Sequence, residues 1–274
     1  MLKVDDTIFE GYHVTWNKLL IIMTYEKLVY HPEINRVIAF LDTTAGREKL
    51  LRTVQYLTRF LAYQSRGDLV ELAYLKRIQF LIGISRKPLR FLKFLKHFRS
   101  LFIVLDDQLK DKKLRAFDVI KQVGFAAYFF LDGVQWFKQL GLINDRKNKS
   151  KLVANAGIYG FRCWLIALTG AILGNLRKLY IIYSRRKALS ANSSAPDGKQ
   201  AGTSMNTATV DLLEKEGSNI AKEQNDLIKN SLDALVAMNG CNIIDATEGT
   251  VGLAGFVTSI MGLKDLWKST KVGV

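Results

Sequence analysis

The chain has 274 residues, 49% of them hydrophobic, with 40 Lys and Arg set against 25 Asp and Glu for a formal charge of +15. That length and apolar share permit one large or two small domains with a substantial buried or membrane-embedded core, and the charge calls for an acidic partner: phospholipid, nucleic acid or an acidic protein face. Two cysteines, Cys163 and Cys241, are too few for a disulfide framework or a metal cluster, while three prolines and long helical periodicities point to an all-α protein.

Residues 1–27 carry Asp5, Asp6 and Glu10 ahead of a short apolar run, Leu19 to Met23, so neither charge nor length suits a secretory signal peptide. This stretch is set apart as an N-terminal extension. From Leu28 to Gln64 the chain reads LVYHPEINRVIAFLDTTAGREKLLRTVQYLTRFLAYQ. Val37, Phe40 and Leu41 predict one short helix face, and Asp42, Thr43, Thr44 and Gly46 interrupt it as a turn and a cap. Leu50, Val54, Leu57, Phe60 and Leu61 predict the face of a longer helix, with Arg47, Lys49, Arg52 and Arg59 off it. The run FLDTTAGREKLLR followed by QYLTRFLAY, behind His31-Pro32, closely resembles the opening of the peroxin-11 family, the peroxisomal membrane elongation proteins. Asp42, Thr43, Gly46, Arg47 and Lys49 carry that likeness. Members of the family begin shortly before the His-Pro, so residues 1–27 depart from its pattern.

Between Leu75 and Arg99, Lys76, Arg77, Arg86, Lys87, Arg90, Lys93, Lys96 and Arg99 stand among bulky apolar residues without an acid. Wound at about 100° per residue, Lys76, Gln79, Gly83, Arg86, Lys87, Arg90, Lys93 and His97 share one arc, and Ile78, Leu81, Ile82, Leu89, Leu92 and Leu95 the other. Phe80 and Phe94 intrude on the basic arc; Arg77, Lys96 and Arg99 intrude on the apolar one, where long stems snorkel. Pro88 predicts a kink, or two helices meeting there. Such a segment suits an anionic membrane, with Lys76, Arg86, Lys87, Arg90 and Lys93 as the lipid-binding face and Ile78, Leu81, Leu92 and Leu95 as the apolar insertion face. The alternative is the solvated face of a basic bundle helix. RKPLRFLKFLKHF is similar to the segment that ends the family's membrane-active amphipathic helix.

Leu114, Phe117, Ile120, Val123, Gly124 and Ala127 predict a stripe that runs into the uncharged block Val123 to Leu131, after which Asp132 sits in an apolar surround. A carboxylate there is either a gating or proton-relay group or, in the plainer reading, a cap or a partner for a nearby Lys. YFFLDGVQWFKQLGLI, Tyr128 to Ile143, again resembles a peroxin-11 element. Lys138, Arg146, Lys147, Lys149 and Lys151 form a second basic cluster. From Leu152 to Leu176 the one charge is Arg162, which makes a plausible transmembrane helix; a long core helix of a soluble bundle would look alike. Ala156 with Gly160 and Gly170 with Gly174 supply small residues four apart for close helix packing. Arg177, Lys178, Arg185, Arg186 and Lys187 then place this end towards the cytosol by the positive-inside rule.

Residues 184–206 are expected to form a flexible linker, its core the low-complexity stretch Ser190 to Met205. Val210 to Met238 resumes helical periodicity with mixed charges, and Gly249 to Leu263 is an uncharged stretch of about 15 residues, short of a 30 Å hydrocarbon core. Gly249, Gly252 and Gly255 share one side and favour helix packing. The ending GLKDLW resembles the membrane-embedded anchor that closes peroxin-11 proteins. The expected organisation is therefore an extension at 1–27, a helical membrane-remodelling region at 28–183, the linker, and a C-terminal helix with a short embedded segment at 207–274.

No catalytic site assembles. His13, His31 and His97 lie far apart without metal-ligand spacing, and no Ser-His-Asp arrangement or phosphate loop is visible; no metal, cofactor or enzymatic activity is expected. Nucleic acid is the weaker partner, because aromatic residues interleave with long aliphatic ones and no zinc spacing or ribonucleoprotein-type strand appears. The residues thus describe an all-α membrane protein with basic amphipathic helices and one or two embedded helices, bound to anionic phospholipid. The resemblance implies the peroxisomal membrane as its place, self-association into homo-oligomers, membrane elongation before fission, and partnership with a fission adaptor and a dynamin-related GTPase. It also implies a second possibility, a pore for small metabolites, which Arg162 and Asp132 would line.

Overall fold

His31 and Pro32 start the first helix as the sequence dictates: proline occupies the first turn, where its missing N–H costs nothing, and His31 Nδ1 accepts a hydrogen bond from the Glu33 amide at 3.2 Å. A computed structural model describes residues 31–143, 150–193 and 207–271. Those residues form helices and no strand: α1 (Pro32–Asp42), α2 (Thr44–Gln64), α3 (Leu69–Ser85), α4 (Lys93–Asp106), α5 (Lys112–Gln139), the single turn α6 (Lys151–Ala154), α7 (Ala156–Ser193), α8 (Thr207–Gly240) and α9 (Glu248–Ser269). Short 3-10 turns occupy Ser65–Gly67 and Pro88–Arg90. The extension 1–27, the cations Arg146, Lys147 and Lys149, and the linker from residue 194 lie outside the described residues. The first ten residues of the expected linker, 184–193, continue α7 as helix.

The chain divides into two compact units, Met1–Leu50 with Gly262–Val274, and Leu51–Met261. In the first unit Thr43 sits between α1 and α2 with an extended backbone, its Oγ1 donating to the Phe40 carbonyl at 2.8 Å and accepting from the Gly46 amide at 2.9 Å. The hydroxyl thereby ends one helix and caps the next. A Cβ on Gly46 would stand 2.1 Å from the Phe40 carbonyl oxygen, so only glycine fits there. The Trp267 ring meets Phe40 edge-on at 5.8 Å and the Arg36 guanidinium at 4.7 Å, and Arg36 also donates to the Trp267 carbonyl.

The second unit is held by close helix crossings. On α5, a Cβ at Gly124 would come within 2.6 Å of the Ala167 backbone; on α7, one at Gly170 would come within 2.8 Å of backbone atoms of Phe117 and Lys121. On α9, Gly249, Gly252 and Gly255 lie against Tyr63, Phe60 and Tyr56 of α2, which descend in number as the glycines rise, so the two helices run antiparallel. Trp164 and Leu168 of α7, Ala234, Val236 and Ala237 of α8, and Val251 and Ala254 of α9 form the buried core. Polar groups tie α7 to α8: Asn175 donates to Glu223, Lys178 pairs with Glu223 at 3.1 Å, and Asn230 donates to Asn175. Among the described residues, Ala156–Leu189 is the one helix long and apolar enough to cross a membrane. α9, at 22 residues, does not qualify by composition.

The glycine contacts separate packing from propensity. Gly170→Val should lower stability by about 2 kcal/mol or more, since a branched side chain meets fixed backbone. Gly217→Ala on α8, where a Cβ meets nothing within 4 Å, should raise it by up to about 1 kcal/mol. Thermal unfolding of the two variants in detergent micelles, followed by helical circular dichroism, checks both signs.

Candidate functional site

The basic stretch from Leu75 to Arg99 is two helices that meet at Pro88, one of the two forms expected there. Pro88 removes a backbone donor, and the chain answers with the 3-10 turn Pro88–Arg90, after which Leu92 takes a left-handed backbone (φ 59°) ahead of α4. For a branched residue that conformation costs on the order of 1 kcal/mol, so surrounding contacts must hold it. Those contacts converge on one carboxylate. Asp132 of α5 receives Lys87 Nζ at 3.0 Å and Arg90 Nη2 at 2.9 Å, and its side chain and that of Lys87 are each 9% exposed. Lys87 also donates to Gln135 Oε1 at 2.9 Å, and Arg90 donates to the Tyr128 hydroxyl at 3.0 Å. Arg86, buried as well, donates to Gln55 of α2. Burial pulls the Lys87 ammonium below its ordinary pKa, against the attraction of Asp132.

Lys93 and His97 of the expected basic arc also turn inward. Lys93 Nζ lies over the Phe129 ring at 4.9 Å. The His97 ring is stacked on Phe125 and Phe129, with centroids at 5.1 and 5.3 Å, and its Nδ1 lies 2.8 Å from Gln122 Oε1. Of the five cations expected to face lipid, the structure leaves Lys76 exposed and brings Arg86, Lys87, Arg90 and Lys93 onto α2 and α5. The outward arc of α4 is instead the one on which cations looked misplaced. Leu92, Leu95, Phe98, Ile103 and Phe102 are 48, 54, 46, 59 and 65% exposed, with Lys96 and Arg99 exposed among them. On α3, Leu81 and Phe80 are likewise more than half exposed, and Ile78 is partly covered.

A further inward-facing cation comes from α2. Arg52, expected off the buried face of α2, pairs with Asp233 of α8 at 2.6 Å, donates to Thr258 of α9, and lies over the rings of Tyr56 and Trp164. Arg59 forms a two-pronged pair with Glu248, holding that carboxyl below its usual pKa. Of the expected α2 face, Leu57 and Phe60 are partly covered, while Leu50, Val54 and Leu61 are about 40% exposed. The signal for Arg52 lay in its partner, because Asp233 interrupts the apolar run LDALVAM just as Asp132 interrupts its own. The motif residues Asp42, Thr43, Gly46, Arg47 and Lys49 lie at the turn between α1 and α2, where Arg47 donates to the Leu41 carbonyl at 2.5 Å and stands 3.7 Å from Asp42. Lys49 borders Gly262, and Gly174 lies 3.9 Å, measured from an added Cβ, from Leu114 and Phe117. Asp111 caps α5 through the Leu114 amide and pairs with Arg177 of α7; the Arg177 hydrogen bonds, with the cap, bring its pKa down to about 2.

His97 gives this site a pH dependence. Burial, with Lys93, Lys96 and Lys121 nearby, holds its folded pKa below the ordinary 6.5 despite the Gln122 hydrogen bond. The unfolded chain therefore takes up the proton first, so stability is complete above about pH 6.5 and falls as pH drops from there towards the depressed value. Unfolding midpoints between pH 7.5 and 5 should fall for the wild type, and His97→Phe should flatten that part of the profile.

Residues 34–267 match the family model for peroxisomal biogenesis factor 11 (PEX11). The chain is similar to peroxisomal membrane protein PMP30B of Candida boidinii, 40% identical over 256 residues, covering 91% of this chain and 100% of that protein. It is also similar to peroxisomal membrane protein PMP27 of Saccharomyces cerevisiae, 32% identical over 249 residues (90% and 100%), and to human peroxisomal membrane protein 11A, 23% identical over 248 residues (82% and 92%). No solved structure matches it. The chain therefore belongs to the peroxisomal biogenesis factor 11 family, an all-α peroxisomal membrane protein with a part in peroxisome proliferation and no enzymatic role.

Proposed function

We propose that this protein elongates the peroxisomal membrane by inserting the outward face of α4 into one leaflet of anionic lipid. The observation that carries this reading is the α4 surface itself: Leu92, Leu95, Phe98, Phe102 and Ile103 each stand about half exposed or more, and Lys96 and Arg99 are set where their stems reach from an apolar layer to phosphate. A fully buried side chain of this size gains roughly 1.5 to 3 kcal/mol. Each cation near an anionic surface adds about 1 kcal/mol. A helix occupying area in one leaflet expands that leaflet alone, and homo-oligomers align many such wedges, bending the membrane ahead of fission. A fission adaptor and a dynamin-related GTPase are the partners this places downstream, acting on the elongated membrane. The pore reading gains less from the geometry, because Asp132 is taken up by Lys87 and Arg90 and Arg162 lies beside Tyr159 on the exposed side of α7.

Two variants separate insertion from attraction. Leu95→Ser with Phe98→Ser and Phe102→Ser should still reach anionic liposomes at low salt yet leave them spherical. Lys96→Ser with Arg99→Ser should weaken binding to anionic vesicles by roughly 10- to 30-fold and flatten its salt dependence. Electron microscopy of liposomes and sedimentation binding read the two effects. Full tubulation by the apolar variant would refute the wedge, and conductance across planar bilayers by purified protein would favour the pore.

A further inference from the structure

The inward-turned cations and the exposed apolar residues belong to one segment, and they conflict. In an unbroken helix Lys76, Arg86, Lys87, Arg90 and Lys93 would share one arc opposite Ile78, Leu81, Leu92 and Leu95. In the structure, with the joint at Pro88–Arg90 and the left-handed Leu92 between the two helices, Lys87, Arg90, Lys93 and His97 face inward as a group onto α5, where Asp132, Gln135, Tyr128, Gln122 and the Phe129 ring receive them. We infer that Asp132 is an internal substitute for lipid phosphate: it latches the α3–α4 joint shut, and an anionic membrane opens the joint by competing for Lys87 and Arg90. The inference rests on the insertion reading above and adds its regulation.

Three observations bear on the balance between the two states. Lys87 and Arg90 share one carboxylate inside the protein, and burying such a group of charges recovers little net free energy because desolvation offsets attraction. The burial of Lys87 lowers its pKa even with Asp132 3.0 Å away, so the closed state bears an electrostatic cost that an interfacial phosphate, hydrated and rich in acceptor oxygens, relieves. The closed joint also keeps Leu92 in a backbone conformation that straightening removes. Opening exchanges Asp132 for phosphate and turns the whole basic arc to the same membrane that Leu81, Leu92 and Leu95, each about half exposed already, face from the closed state. A shift between two such states needs only a ligand with different affinity for each.

The test reads the joint and leaves bending aside. Hydrogen–deuterium exchange on the full chain reconstituted in phosphatidylcholine vesicles, with and without phosphatidylinositol, reports protection across residues 86–95. The expected result for the wild type is strong protection in neutral vesicles and about tenfold faster exchange once anionic lipid is present. Asp132→Asn should exchange fast in both and bind anionic vesicles about tenfold more tightly; Asp132→Glu should follow the wild type. Equal wild-type protection in the two lipids would overturn the latch, and that comparison needs no variant to fold. An Asp132→Asn protein that keeps wild-type protection would overturn it as well. Because the readout is local opening, normal tubulation by the α4 apolar variant would sink the wedge and leave the latch standing, whereas lipid-independent protection at 86–95 would sink the latch alone.

Discussion

One carboxylate decides which way the amphipathic segment faces. Asp132 stands in an apolar stretch of α5 and takes both Lys87 and Arg90, so the turn between α3 and α4 must lie against α5 wherever those contacts hold. Removing one member of such a group leaves buried charge without its partner, a loss of about 3 to 5 kcal/mol. The orientation of α4 follows: with Lys93 and His97 stacked on the rings of Phe125 and Phe129, the opposite arc, with Leu95, Phe98 and Phe102, has nowhere to point except outward.

The same polarity recurs on other helices. Arg52 and Asp233 are buried as a pair while Leu50, Val54 and Leu61 of the same helix as Arg52 stand partly exposed; Asn175 is buried against Glu223 while Leu173, Leu176 and Tyr180 look out from α7. In water this arrangement would be unfavourable twice over, exposing apolar area and desolvating charge. In a hydrocarbon surround it is the favourable one, because polar groups there turn to the bundle interior and pair with one another. The membrane character of the chain thus lies in which residues are inside, more than in the length of any apolar run.

Much of this was legible in the sequence, and the limits have a physical reason. The turn and helix cap around Thr43 were readable because the signal is a local hydrogen bond and a glycine. The break near Pro88 was readable from proline stereochemistry. What the pattern did not reveal was which arc faces inward: the helical wheel groups Lys93 and His97 with Lys87 and Arg90, and Lys96 and Arg99 with Leu92 and Leu95, as the structure does, but it is the basic arc that turns onto α5. Partners were equally hidden. Asp132 announces a buried ion pair by its apolar neighbours, yet Lys87 is 45 residues away and Arg52 lies 181 residues from Asp233, separations that no periodicity encodes.

Close packing and ion pairing divide the labour in this bundle. At Gly124 and Gly170 the backbones of α5 and α7 approach so closely that no larger residue fits, and Gly252 and Gly255 do the same between α9 and α2. Contacts of this kind are short-ranged and stiff, since sub-ångström gaps forfeit much of the attraction. They make α5 a rigid wall. The joint at Pro88–Arg90 meets that wall differently: the hydrogen bonds and charge of Lys87 and Arg90 hold it there, together with the Phe91 ring set against Trp136 and Phe137. Charge-assisted hydrogen bonds of this kind are the contacts for which an anion outside the bundle competes, whereas the glycine crossings are not.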